Sequence, residues 1–196
     1  MGKIKSALEI ALERTESVKG DKDRIGQFEA KQKGKKLANQ FLEGNVKSLA
    51  EEIEKETRDN QASFKQGLFD VLVSQIVLPT AREEIKRIEI SCQGIITIIG
   101  GKHFAEIAKQ VGQMMNQYIN EAAQYEEAIK RQYAPKLRQK EEELSRRMGR
   151  HVKLDPFQDP EFVQFFNQNL NALKANYQAA LDQAREETLK LFEGNR

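Results

Sequence analysis

Tryptophan is absent from this chain, cysteine occurs once, histidine twice and proline four times in 196 residues. A single cysteine, Cys92, excludes a disulfide framework and fits a reducing compartment. Two histidines, His103 and His151, are too few for the paired Glu-x-x-His ligands of a di-iron bundle, and the residues three before them are Gly100 and Met148. "HFAE" places His103 and Glu106 on one helix face, but two ligands do not close a zinc site. No uncharged run exceeds the twelve residues of "ISCQGIITIIGG" at 90–101, where a membrane-spanning helix needs about 20. Charge of one sign is also lacking: the net charge is +2, so contact with polyanions must rest on local patches. No nucleophile elbow, phosphate-cradling loop, dinucleotide fingerprint or Cys-x-x-Cys occurs, and "GIITIIGGKH" lacks the Gly-Lys-Ser/Thr ending of a phosphate loop. These absences point away from an enzyme, from a metal and from an organic cofactor.

What remains suits helices: charged residues make up 32% of the chain, and helix breakers are few. The opening "MGKIKSALEIALERTESVK" carries Glu9, Glu13, Arg14 and Glu16, which exclude a signal-peptide core, although Gly2 and Ser6 match the myristoylation pattern. A first helix is predicted from Ser6 to Val18, with Ser6 and Glu9 as a capping box and "KGDKDRIG" as its end. A second is predicted over 28–58, with Leu37, Phe41, Leu42, Val46, Leu49 and Ile53 inward. Gly34 and Gly44 weaken it by up to about 1 kcal/mol each, and its basic first half, "EAKQKGKKLANQ", reads as exposed. The apolar segment 62–78 forms a third helix that Pro79 stops. Thr80 and Glu83 then cap a fourth, whose stripe Ile85, Ile88, Cys92, Ile95 and Ile99 runs through the isoleucine-rich stretch. Gly100 ends it in the left-handed conformation, and Cys92 is a core residue rather than a reactive thiol. A strand at 95–99 is the alternative, but no second segment offers it a ladder partner.

Two long rhythms follow. Phe104, Ala108, Val111, Met115, Tyr118, Ala122, Tyr125 and Ile129 step by four and three, and so do Phe166, Leu170, Leu173, Tyr177, Ala180, Ala184, Glu187 and Leu191. Each series covers 26 residues, or about 39 Å of helix. Equal lengths predict an antiparallel pairing that sets Ile129 beside Phe166 and Phe104 beside Leu191. The alternative is that each seam faces a second copy of the chain, through residues such as Tyr118 and Tyr125.

Between the seams the phase slips at Tyr133, Pro135 should kink or interrupt the helix, and Leu137, Leu144 and Met148 continue it to Gly149. "RHVKLDPFQD" is a return loop, after which Asp159 and Pro160 start the last helix. Over 130–153 this tip holds Lys130, Arg131, Lys136, Arg138, Lys140, Arg146, Arg147, Arg150 and Lys153 against Glu141, Glu142 and Glu143, a local charge of +6. Such a surface suits phosphates, an acidic protein patch or an anionic membrane, with Tyr133 and Phe157 near enough to stack on bases. The plainer alternative is a solvated helix in which Glu142 pairs with Arg146 and Glu143 with Arg147.

The opening "MGKIKSALEIALERTE" and the segment "DPEFVQFFNQNLNALKANYQAALDQA" resemble those of uncharacterised bacterial all-helical proteins. That resemblance implies a helical fold and no activity. The expectation is therefore an all-α protein: a helical body over 1–101 and a long antiparallel coiled-coil hairpin over 102–193, with a basic tip at about 130–159. Its expected function is that of a non-enzymatic, cytoplasmic interaction or assembly protein that presents the hairpin. The candidate partner-binding residues are Lys136, Arg138, Lys140, Arg146, Arg147, Arg150 and Lys153. A protein partner is expected, self-association included. Nucleic acid at the tip is the first alternative and peripheral membrane association the second.

Overall fold

The computed structural model describes the backbone of residues 7–194 and the side chains of 24–194. Six α-helices follow one another: α1 Ala7–Leu42, α2 Leu49–Glu54, α3 Arg58–Ser74, α4 Arg82–Ile99, α5 Lys102–Met148 and α6 Pro160–Gly194, with a short 3-10 turn at Pro156–Gln158. No strand occurs among the described residues, so the fold is all-α and 95–99 is helical. The chain divides into two compact units. One comprises 1–76, 87–105 and 191–196; the other comprises 77–86 and 106–190. The Ser6 cap and Gly2 lie outside the described residues.

The first unit is organised by a helix crossing that needs bare backbone. A Cβ on Gly34 of α1 would meet the Phe64 carbonyl oxygen of α3 at 2.2 Å, and one on Gly67 of α3 would meet the Lys31 carbonyl oxygen of α1 at 2.1 Å. Ala30, Gly34 and Ala38 recur every fourth residue and are all buried, so α1 turns a strip of small residues toward α3. Two expectations are corrected here. The "KGDKDRIG" segment does not end the first helix, which runs unbroken to Leu42. Nor is "EAKQKGKKLANQ" an exposed face: its small residues are the contact, while Lys31 and Lys33 reach across to Asp70 (2.9 Å) and Glu56 (2.6 Å). Large apolar side chains mark most buried faces, but a glycine buries by letting the partner backbone approach, which a search for large residues passes over.

Gly44 ends α1 rather than weakening its interior. It takes φ +79°, and the Gly44 and Asn45 N–H groups donate to Phe41 O (3.0 Å) and Gln40 O (2.8 Å), the bonding of a Schellman cap. The expected helix over 28–58 is thereby split in two. Ser48 caps α2 through its Oγ, which accepts from Glu51 N. Within this unit Gly94 of α4 seats against Leu72, Phe41 and Leu49, and the rings of Phe69 and Phe192 stack at 4.0 Å. The isoleucine–cysteine stripe of α4 is buried as its spacing predicts, burial pushes the Cys92 thiol up to about 11, and Gly100 closes the helix at φ +73°. Thr80 caps α4 with Glu84 rather than Glu83: its N–H and Oγ1 donate to the Glu84 carboxylate at 2.7 and 3.0 Å.

In the second unit α5 and α6 run antiparallel in one register. Tyr118 meets Tyr177 with ring centroids 5.1 Å apart, and Tyr133 meets Phe162 at 5.2 Å. Both contacts fall on the register that pairs Ile129 with Phe166. Partial burial first, and the neighbouring Glu121 carboxylate second, push the Tyr177 phenol up to about 12. Tyr118 is buried, whereas Tyr125 is 45% exposed. The far half of α6 departs from the expected stripe by one position. Ala180 and Glu187 are exposed, while Leu181, Thr188 and Phe192 are buried. Thr188 tolerates burial because its hydroxyl donates to Ala184 O at 2.6 Å.

Replacing Gly34 or Gly67 with alanine should destabilise the protein by about 2–3 kcal/mol, since the added carbon forces two backbones apart. Gly112 has open space where its Cβ would lie, so Gly112→Ala should instead stabilise by about 0.5–1 kcal/mol. Thermal and denaturant unfolding followed by circular dichroism distinguishes the signs; equal effects at the three positions would contradict the crossing.

Candidate docking site at the hairpin tip

The tip is built on one aspartate. Asp159 precedes Pro160 at the start of α6, and its Oδ1 accepts from Glu161 N at 3.1 Å, which satisfies one of the free N–H groups of the helix end. Its carboxylate is almost fully buried and receives Lys140 Nζ on both oxygens (2.9 and 2.8 Å) and the Tyr133 hydroxyl on Oδ2 (2.9 Å). Lys140 donates also to Glu161 Oε2 at 2.5 Å, and Lys136 pairs with the same oxygen at 3.0 Å. Helix α5 thus carries Tyr133, Lys136 and Lys140 on successive turns toward the first turn of α6. Below this network, Ile129, Tyr133 and Phe162 form a buried cluster with Leu137, Phe165 and Phe166 against it.

The return loop is tied to α5 by its own backbone. Gly149 reverses the chain at φ +66°. Val152 N then donates to Ser145 Oγ and Leu154 N to Glu141 Oε1, each at 2.9 Å. Asp155 accepts from Phe157 N and opens the 3-10 turn. Phe157 sets its ring edge-on to Phe162 (5.2 Å) and Phe166 (5.3 Å), with Lys130 Nζ over it at 5.7 Å. Pro135 neither breaks α5 nor ends it: the helix is continuous from Lys102 to Met148.

The seven candidate cations separate into two groups. Lys136 and Lys140 are fasteners, spent on Glu161 and Asp159. Arg138, Arg146, Arg147, Arg150 and Lys153 are exposed, and among the described residues none of them forms an ion pair. The pairing of Glu142 with Arg146 and of Glu143 with Arg147, expected from spacing alone, is not made. Of the two rings that sequence spacing offers for base stacking, Tyr133 is buried in the cluster, while Phe157 packs edge-on against it and stays 46% exposed. Asp159 and Glu161 were missed as members of the site; the Asp-Pro signal identifies a helix cap, but nothing in it indicates that a lysine nineteen positions earlier closes on the same carboxylate. Beside this network lies a cleft of about 320 Å³ lined by Lys140, Glu143, Leu144, Arg147, Leu154, Gln158, Asp159 and Pro160.

The model of a family of unknown function, DUF6657, matches residues 50–190. The chain belongs to this family. The DUF6657 match takes in α2 to α5 and most of α6, the whole tip included, and leaves α1 outside it. No curated protein and no solved structure matches the chain. Among the described residues, no three histidine, cysteine or acidic side chains converge as a metal site, and no helix is long and apolar enough to cross a membrane.

The electrostatics of the DUF6657 tip set its pH response. Burial works to raise Asp159, but the hydrogen bonds from Lys140, Tyr133 and Glu161 N outweigh it and hold the carboxyl below its ordinary value. Lys140 and Lys136 lower Glu161 in the same way, and Asp159 with Glu161 raises Lys140. Depressed carboxylates stabilise the fold above their unfolded values and lose that contribution as pH falls through the folded ones, below about pH 4. The raised lysine contributes below its unfolded value and loses its share only as pH climbs past the ordinary lysine range. The stability gap between wild type and Lys140→Met should therefore be widest near neutral pH and shrink below about pH 4; a gap constant from neutral to acid would assign Lys140 a packing role only. Asp159→Ala should cost about 2 kcal/mol at neutral pH, through the lost cap and the partners left unpaired.

Proposed function

We propose that the chain is a non-enzymatic adaptor or assembly protein of the cytoplasm, in which α5 and α6 form an antiparallel coiled-coil hairpin that presents the basic tip to a protein partner. One observation carries this reading. The tip is fastened by Lys136, Lys140, Tyr133, Asp159 and Glu161, yet Arg146, Arg147, Arg150 and Lys153 are exposed and form no ion pair among the described residues. Holding a surface rigid while leaving its charges unanswered favours recognition, because little ordering entropy is lost on docking. The polar network closes on itself, each carboxylate meeting a lysine, which suits fastening better than chemistry.

The nucleic-acid reading draws on the same cations, but of the two rings that could stack on bases Tyr133 is buried against Phe162, which leaves a single exposed ring, Phe157. Affinity capture from the cell of origin, with intact protein and with Arg146→Glu, Arg147→Glu, Arg150→Glu and Lys153→Glu combined, tests the proposal. The expected result is a protein captured by the intact chain and lost with the reversed apex, with circular dichroism unchanged. Equal capture by both proteins would overturn docking through the tip. Recovery of nuclease-sensitive material alone would replace it with the nucleic-acid reading.

A further inference from the structure

Resting on that docking reading, we infer that the tip receives an extended acidic peptide segment carrying one large apolar side chain, which seats in the cleft beside Asp159. The cleft has an apolar floor made by Leu144, Leu154 and Pro160, with both leucines only half-buried. Met148, one helical turn beyond Leu144, is 52% exposed and extends this apolar strip toward the apex. At about 320 Å³ the cleft stands at the small end of the range for ligand pockets, sized for a side chain rather than a large cofactor.

Charge decides what surrounds the anchor. From Arg146 to Lys153 the sequence holds four cations and no acid. Although all four are exposed, Arg147 lines the cleft and Arg146, Arg150 and Lys153 do not. A small anion in the cleft would leave them unanswered, whereas an extended acidic segment passes from the cleft over the apex and meets them in turn. The Gln158 amide, exposed on the cleft wall, is placed to bond the backbone of such a segment. Inside the cleft Glu143 disfavours any anion, phosphate or carboxylate alike, so only the apolar side chain of the segment enters it and the acidic residues stay with the cations outside. Burying the anchor supplies affinity, and the apex cations supply orientation and association rate.

The test pans a displayed library of random linear peptides against the full chain, then measures synthetic copies of the enriched peptides by fluorescence anisotropy. Acidic peptides with a shared Leu, Met or Phe are expected. Changing that residue to alanine in the peptide should weaken binding about tenfold without touching the protein's fold. Arg147→Glu with Arg150→Glu should weaken it by at least about tenfold as well, and Leu144→Gln should reproduce the loss of the anchor. Enriched peptides indifferent to the anchor, or to the apex arginines, would overturn the inference. If no peptide is enriched but the reversed apex still abolishes capture of a cellular protein, the inference fails while docking through the tip stands. If both experiments are negative, both fail.

Discussion

The contact between α5 and α6 is the constraint on which the tip depends. A helix of 47 residues has no use for an apolar stripe unless another helix covers it. Here the cover comes from the same chain, and two aromatic contacts, Tyr118 with Tyr177 and Tyr133 with Phe162, hold one register between them. Because register fixes which residues face each other, it also brings Lys140 to Asp159 and Lys136 to Glu161. A shift of one helical turn, about 5.4 Å, would part those pairs and uncover a carboxylate that now has three donors. The hydrophobic pairing is thus the cause and the polar fastening its consequence.

Much of this was legible in the residues. Steps of three and four at Phe104 to Ile129 and at Phe166 to Leu191 predict both helices and their register, because large side chains at helical spacing reveal a face directly. The stripe Ile85 to Ile99 was legible for the same reason, and Gly100 because only a left-handed residue ends a helix so sharply. The one-position error in α6 arose where the rhythm rested on Ala180, Ala184 and Glu187, small or polar residues that mark a face weakly. Leu181 and Phe192 then decide which side is buried.

What escaped was contact made without side chains, and contact made at long range. Gly34 reads as a weak point in its helix and Gly67 gives no signal at all, whereas each is the place where a neighbouring carbonyl comes too close for a methyl group. Charge counting saw nine cations at the tip but not which of them a distant carboxylate would claim. Spacing alone cannot separate a free cation from a fastened one, so Lys136 and Lys140 read as partner-binding residues although Glu161 and Asp159 hold them. Of the seven candidates, five form no ion pair among the described residues, a smaller set than composition suggested.

The register within one molecule can be measured directly. Ala128 and Asn167 face solvent and lie opposite each other on the register set by the two aromatic pairs. With Cys92 changed to alanine and spin labels at both positions, pulsed electron resonance should give one narrow, short distance, as for helices packed about 10 Å apart. That distance should persist when labelled protein is diluted into unlabelled protein. A signal that disappears on dilution, or a long and broad distribution, would show that α5 and α6 do not pair within the chain, and the fastened tip would go with them.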